Sequence, residues 1–185
     1  VYTELGQLSS ESITYNLGKP EEFTKTYSYT YYENGGLKTY TDPEGKTQTY
    51  EYDLNDQIKR IIIPEVGSIV VPERHFDSEK KVIYPGGTTV ENTFNERMYL
   101  KRSIVRDPAK NIITDRTYNY DSEINITNIN TEYGDYIYTY DDVYRLTDVT
   151  APGNKTESFK YDGNSNIITA NNETEEWQYN ANHEL

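Results

Sequence analysis

Cysteine is absent from the 185 residues, which excludes a disulfide framework and any thiolate-held metal. Histidine occurs twice, at His75 and His183, in different parts of the chain. A catalytic triad or an imidazole metal centre needs convergent ligands, and two distant histidines do not supply them. Alanine is scarce, which argues against long helices. No apolar run is long enough to cross a membrane as a helix, and no signal peptide is recognisable. Lysine and arginine number 18 against 31 acids, a formal charge of −13. Nucleic acid is therefore not an expected partner, because a phosphate-binding surface needs clustered cations. The run Arg97, Lys101, Arg102 and Arg106 is diluted by Glu96 and Asp107 and reads as a solvated strand face.

Tyrosine is what the chain has in abundance: 20 residues, with 4 phenylalanines and 1 tryptophan. Together with many threonines and isoleucines, this favours strands. The stretch Tyr138-Thr139-Tyr140-Asp141-Asp142-Val143-Tyr144-Arg145-Leu146 shows the pattern. Period-two alternation puts Tyr138 and Tyr140 on one strand face. A polar turn follows, and Leu146 opens a returning strand.

This unit recurs. Aromatic residues at position 0 are Tyr31, Tyr52, Phe76, Phe94, Tyr120, Tyr140, Tyr161 and Tyr179, spaced 18 to 26 residues apart. Position +1 is Asp or Asn in seven of the eight copies, and Tyr32 in the remaining one. Position +6 is apolar in all eight: Leu37, Ile58, Val82, Leu100, Ile126, Leu146, Ile167 and Leu185. A ninth copy, with Tyr2, Gly6 and Leu8, opens the chain, and residues 1–26 are less regular. Between the corners lie turn sequences built on Pro43, Pro64, Pro85, Pro108 and Pro152, or on Gly134. A further apolar residue follows +6 by three positions at Ile61, Ile129 and Val149, where strict alternation requires two. That offset predicts a bulge or a strong local twist. The segment 93–105 has a periodicity that a short helix could share, and a strand pair is the preferred reading.

These residues resemble the YD-repeat, or RHS-repeat, family, whose unit is Tyr-x-Tyr-Asp-x-x-Gly-x-Leu with a Pro-x-Gly-type turn. Tyr50-Glu51-Tyr52-Asp53, Tyr118-Asn119-Tyr120-Asp121 and Phe159-Lys160-Tyr161-Asp162 carry the motif, each with its +6 residue. The corner glycine stands at Gly6 and Gly35, and Asp56, Lys80, Met98, Ile124, Tyr144, Ser165 and His183 replace it elsewhere. The expected fold is all-β: antiparallel β-hairpin repeats forming a spiralling sheet or shell segment. The expected organisation is a single array over 1–185, of eight to nine repeats, incomplete at both ends.

The resemblance implies a non-enzymatic structural segment of a secreted or cell-surface protein, part of a shell enclosing a toxin domain. Its partners would be further repeats of the same polypeptide, other copies of itself, or the enclosed toxin domain. No catalytic residue, cofactor or metal site is expected. The family's self-cleaving core has no counterpart here, so Asp42-Pro43 and Asp107-Pro108 are read as turns. Two alternatives stay open. One is a self-assembling fibre joined head to tail through exposed strand edges. The other is a glycan- or cell-binding module that uses the tyrosine face. For the +1 aspartates, an Asx turn is preferred over ranked calcium ligands, which need six to eight oxygens. The triplets at Asn125, Asn154 and Asn172 match the glycosylation pattern, as expected by accident in a chain so rich in Asn and Thr.

Overall fold

In the computed structural model the described residues are 1–171, 176–180 and 182. Leu185, His183 and the Asn172 triplet lie outside them. The fold is all-β, with fifteen strands ordered in the sheet as they are in sequence. The chain divides into two compact units, residues 1–91 with 106–111, and residues 92–105 with 112–185.

The first unit contains β1 (Ser10–Tyr15), β2 (Phe23–Tyr31), β3 (Leu37–Thr41), β4 (Thr47–Tyr52), β5 (Ile58–Ile63), β6 (Gly67–His75) and β7 (Ser78–Ile83). The division between units runs through β8 (Thr89–Phe94) and β9 (Leu100–Arg106). The second unit continues with β10 (Ile112–Tyr120), β11 (Ile126–Thr131), β12 (Gly134–Tyr140), β13 (Leu146–Ala151), β14 (Lys155–Tyr161) and β15 (Ile167–Ala170). Segment 93–105 is thus a strand pair around a turn. The one helical turn among the described residues is the 3-10 turn Pro85–Gly87.

The repeat positions mark the strand ends. Tyr31, Tyr52, Phe94, Tyr120, Tyr140 and Tyr161 close β2, β4, β8, β10, β12 and β14. Leu37, Ile58, Leu100, Ile126, Leu146 and Ile167 open β3, β5, β9, β11, β13 and β15. Across five of these corners the closing tyrosine faces its own +6 residue: Tyr31 with Leu37, Tyr52 with Ile58, Tyr120 with Ile126, Tyr140 with Leu146, and Tyr161 with Ile167.

Each of these five pairs carries the expected bulge. Tyr50 faces Ile61 while Tyr52 faces Ile58, so Lys59 is the extra residue. Lys38, Thr127, Thr147 and Ile168 occupy the same place in the other four. One inserted residue shifts the alternation by one, which is why the next apolar residue comes three positions later. Tyr118 accordingly faces Ile129, and Tyr138 faces Val149.

The two sheet faces differ in chemistry. Tyrosine and aliphatic side chains share one face. The other face carries mostly hydroxyls, amides and charges, with cross-strand pairs such as Thr30–Thr39 at 2.6 Å and Thr139–Thr147 at 2.9 Å, while Glu11, Gln48 and Glu157 stand among the tyrosines and aliphatics. No hydrophobic side chain among the described residues is fully buried. The tyrosine face is half-buried, covered by the side chains of neighbouring repeats.

One repeat departs from the expected register. Phe76 does not close a strand. β6 runs on to His75, which pairs with Ser78, and Phe76 sits in the tight turn between them with φ 53° and 78% exposure. The Arg74–Glu79 ion pair at 3.1 Å holds the strands together up to that turn. No five-residue corner forms, Lys80 lies within β7 and not at a left-handed position, and Val82 pairs with Val90.

Candidate functional site: the corner and its tyrosine ladder

The corner is built by its own sequence. At Asp53 the backbone N–H donates to the Gln57 carbonyl at 2.9 Å, and the Asp56 N–H donates back to the Asp53 carbonyl at 3.2 Å. Asp56 then takes a positive φ of 59°. This is a turn followed by a left-handed residue, one of the common hairpin closures. The same donor pattern recurs at Tyr32, Asn95, Asp121, Asp141 and Asp162. The left-handed position falls on the family's glycine site, yet here Met98, Ile124, Tyr144 and Ser165 occupy it with φ of 65–74°. A side chain there meets the preceding backbone, and a β-branched one most of all. Ile124→Gly is therefore expected to raise stability by about 1 kcal/mol, read as a higher urea midpoint at unchanged slope. A lower midpoint would show that the Ile124 side chain packs productively.

The +1 carboxylates act as turn acceptors. Asp141 Oδ1 accepts the N–H groups of Val143 at 3.0 Å and Arg145 at 2.9 Å. Asp53, Asp121 and Asp162 make the same two bonds, and Asn95 reproduces them with its amide oxygen. Bonds to the ionised form hold the carboxyls of Asp53, Asp121 and Asp141 below the usual carboxylate range. For Asp141 the largest cause is the Arg145 backbone N–H, for Asp53 that of Gln57, and for Asp121 the Asn125 side chain. A depressed carboxyl stabilises the fold fully above its unfolded value of about 3.9, and that contribution is lost as pH falls through the folded value. Acid unfolding followed by circular dichroism is thus expected to begin below about pH 3.9 and to become less steep when Asp53, Asp121 and Asp141 are all replaced by asparagine. Chelator is expected to leave the melting temperature unchanged. A fall on adding chelator would restore the calcium reading.

The tyrosines join one repeat to the next. In the first unit Tyr31 Oη donates to the Leu8 carbonyl at 2.8 Å, and Tyr52 Oη to that of Leu37 at 3.0 Å. In the second unit Tyr120 donates to Leu100, Tyr140 to Ile126, Tyr161 to Leu146 and Tyr179 to Ile167, all at 2.8 Å. Each acceptor is the carbonyl of the preceding corner's +6 residue. The two repeat positions are therefore one device: an aromatic ring filling the space beside a corner, and a carbonyl capped by its hydroxyl. Burial pushes the phenols of Tyr52, Tyr120 and Tyr140 up, so they remain protonated donors. Tyr29, hydrogen-bonded to Glu11, is pushed up to about 12.

The ladder has two irregular rungs. Phe94 brings a ring without a hydroxyl. At Ile58 the carbonyl is met by Arg74 Nη2 at 2.6 Å.

Two further ties escaped the sequence reading. Position +5 reaches forward when its side chain is long. Gln7 Nε2 donates to the Gly35 carbonyl at 3.0 Å, Gln57 Nε2 to Asp77 at 2.6 Å, and Arg145 Nη1 to the Asp162 carbonyl at 2.9 Å. Arg145 also lies over the Tyr161 ring, 4.7 Å from its centroid. The shorter Asn125 and Asn166 fold back on their own aspartates at 2.9 and 2.8 Å. At the opposite turns a proline packs against the glycine of the preceding turn: Pro85 on Gly67, Pro108 on Gly87, and Pro152 on Gly134. The signal for +5 was present, as Gln at two corners and Arg at a third, but its direction depends on where the next corner lies. His75 packs against Phe76 in a tilted arrangement, with centroids 5.0 Å apart and planes 33° apart, and takes no part in the ladder.

No protein-family model and no curated protein matches the chain. Solved structures do. A Photorhabdus luminescens Tc holotoxin pore matches with a TM-score of 0.73 over 89% of this chain at 18% identity. A TcdB2-TccC3 structure matches with a TM-score of 0.74 over 91% at 17% identity, and a TcdB2-TccC3-Cdc42 structure with 0.75 over 95% at 16%. The fold is YD/RHS-like. The chain spans 10–11% of the length of these structures' chains. No helix among the described residues is long and apolar enough to cross a membrane.

Proposed function

We propose that this chain is a non-enzymatic stretch of wall in a secreted or cell-surface YD/RHS-type protein, one array over 1–185 whose sheet helps to enclose a toxin domain. The carrying observation is the ladder: six tyrosine hydroxyls are each spent on the carbonyl of the preceding repeat. Six of the 20 tyrosine hydroxyls are thereby committed to cohesion between neighbours, as in an array stabilised by nearest-neighbour contacts. The fold shared with segments of Tc toxin structures supports the same reading.

The test is electron microscopy and limited proteolysis of the gene product with its native flanking segments. A hollow particle is expected, holding a segment that resists protease until the array is melted. Fibres that lengthen with concentration would favour head-to-tail assembly. An open sheet with freely digested flanks would remove the enclosing role. Binding on a glycan array that is lost on substituting exposed tyrosines, with the fold retained, would favour the binding module.

A further inference from the structure

The fold sorts the cations Arg97, Lys101, Arg102 and Arg106 into two kinds. Arg102 Nε donates to Asp115 at 2.8 Å, and Arg106 Nε lies 3.7 Å from Glu91. The side chains of Arg97 and Lys101 are exposed and make no ion pair or hydrogen bond among the described residues. They nevertheless meet. Arg97, in the corner after β8, and Lys101, near the start of β9, line one cleft of about 430 Å³ within the second unit. The rest of its lining comes from the first of these corners and from the end of β10 with the corner that follows. Tyr99, Tyr118 and Tyr120 bring rings to it, the first and last tilted together with centroids 5.7 Å apart. Asp121 is the one carboxylate in the lining, and its oxygens already accept from Glu123 N, Asn125 N and Asn125 Nδ2 at 3.0, 2.8 and 2.9 Å. The neighbouring Glu96 and Glu123 lie outside the lining. Asn95 spends its oxygen on two backbone N–H groups and so presents Nδ2 as a donor. Asn119 spends Nδ2 on Asn128 and so presents an acceptor. In a chain of charge −13, two unpaired cations thus face a cleft whose only anion is engaged. Such a place attracts an anion, and the guanidinium fork matches a carboxylate. The rings and the two amides suit more than a bare ion: a ring with one C–H face and with hydroxyls at its rim.

We infer that this cleft binds a uronate, a pyranose sugar that bears a carboxylate. The carboxylate accepts from Arg97 and Lys101. The C–H face of the sugar lies on a tyrosine ring, and its hydroxyls accept from Asn95 Nδ2 and donate to Asn119 Oδ1. This binding is independent of whether the wall encloses anything.

Glucuronate titrated into the ¹⁵N-labelled chain is the direct test. The expected result is saturable shifts at residues 95–101 and 118–122 with a Kd of about 1 mM, suited to a ligand of about thirteen heavy atoms. Arg97→Gln and Lys101→Gln, both at exposed positions, are each expected to weaken binding about tenfold. Arg116→Gln removes an exposed cation of β10 outside the cleft and is expected to leave the affinity unchanged. Glucose keeps the ring without the charge, and acetate keeps the charge without the ring. Each is expected to bind at least tenfold more weakly than glucuronate. Absence of shifts at about 20 mM glucuronate, some twentyfold above the expected Kd, would overturn the assignment. So would glucose or acetate binding as tightly as glucuronate, or Arg97→Gln leaving the affinity unchanged. Arg116→Gln weakening binding as much as Arg97→Gln would also overturn it, because the attraction would then belong to the surface at large.

Discussion

Tyr140→Ala is expected to destabilise the protein by about 3 kcal/mol, and Tyr140→Phe by about 1 kcal/mol. The two substitutions divide the rung into its parts. Phenylalanine keeps the ring opposite Leu146 and removes only the bond to the Ile126 carbonyl. That carbonyl is half-buried, so losing its donor leaves an acceptor poorly served by water. Alanine also removes the aromatic surface, and a cleft opens beside the preceding corner. The figure lies at the lower end for an aromatic deletion because the tyrosine face is half-buried and a cavity there partly fills with water. Urea unfolding at several wavelengths measures both values. Hydrogen exchange adds position: Tyr140→Phe should speed exchange in β11 more than in β15, since only nearest neighbours are coupled. A Tyr140→Ala protein within about 0.5 kcal/mol of the parent, the range of an ordinary surface change, would show that the ladder does not hold the repeats together.

Gly134→Ala should cost about as much, for a different reason. Gly134 has φ 118°, outside the region that residues with a side chain adopt. A Cβ there would also stand 3.1 Å from the Cβ of Pro152 in the next turn. Backbone strain of about 1–3 kcal/mol and a similar overpacking penalty act together. Gly153 separates them: its φ is 82°, but nothing lies within 4 Å of a built Cβ. Gly153→Ala therefore carries the strain alone and is expected to cost about 1 kcal/mol. In a Pro152→Gly background, which has no Cβ at that position, Gly134→Ala should lose the overpacking part and keep the strain. Equal losses for Gly134→Ala and Gly153→Ala would mean that the proline does not press on the glycine, and that the turns are not stacked as described.

The degenerate middle of the chain shows where motif reading ends. Phe76 and Phe94 both lack the first aromatic, with Arg74 and Asn92 two positions before them, yet Phe94 and Asn95 build a regular corner. Phe76 and Asp77 look equally acceptable, yet they form a tight turn. What separates them lies across the strands: Arg74 pairs with Glu79 and reaches Ile58, and this favours a short closure. An aromatic followed by an acid is compatible with either outcome until its strand partners are known.

At the regular corners, the positions of the strand ends, the closures and the bulge after +6 were determined by the sequence alone; at Phe76 they were not. Each depends on forces within a few residues: alternation along a strand, an Asp accepting N–H groups two and four residues on, and one inserted residue shifting the apolar period. Only the tertiary structure decided how one repeat holds the next. A tyrosine hydroxyl finds a carbonyl 12 to 23 residues upstream, a proline finds the preceding glycine, and Arg74 takes a tyrosine's place. These partners are set by strand register and by loop lengths that vary from repeat to repeat. The same tyrosine can therefore be recognised as a repeat residue without its sequence revealing what its hydroxyl will touch.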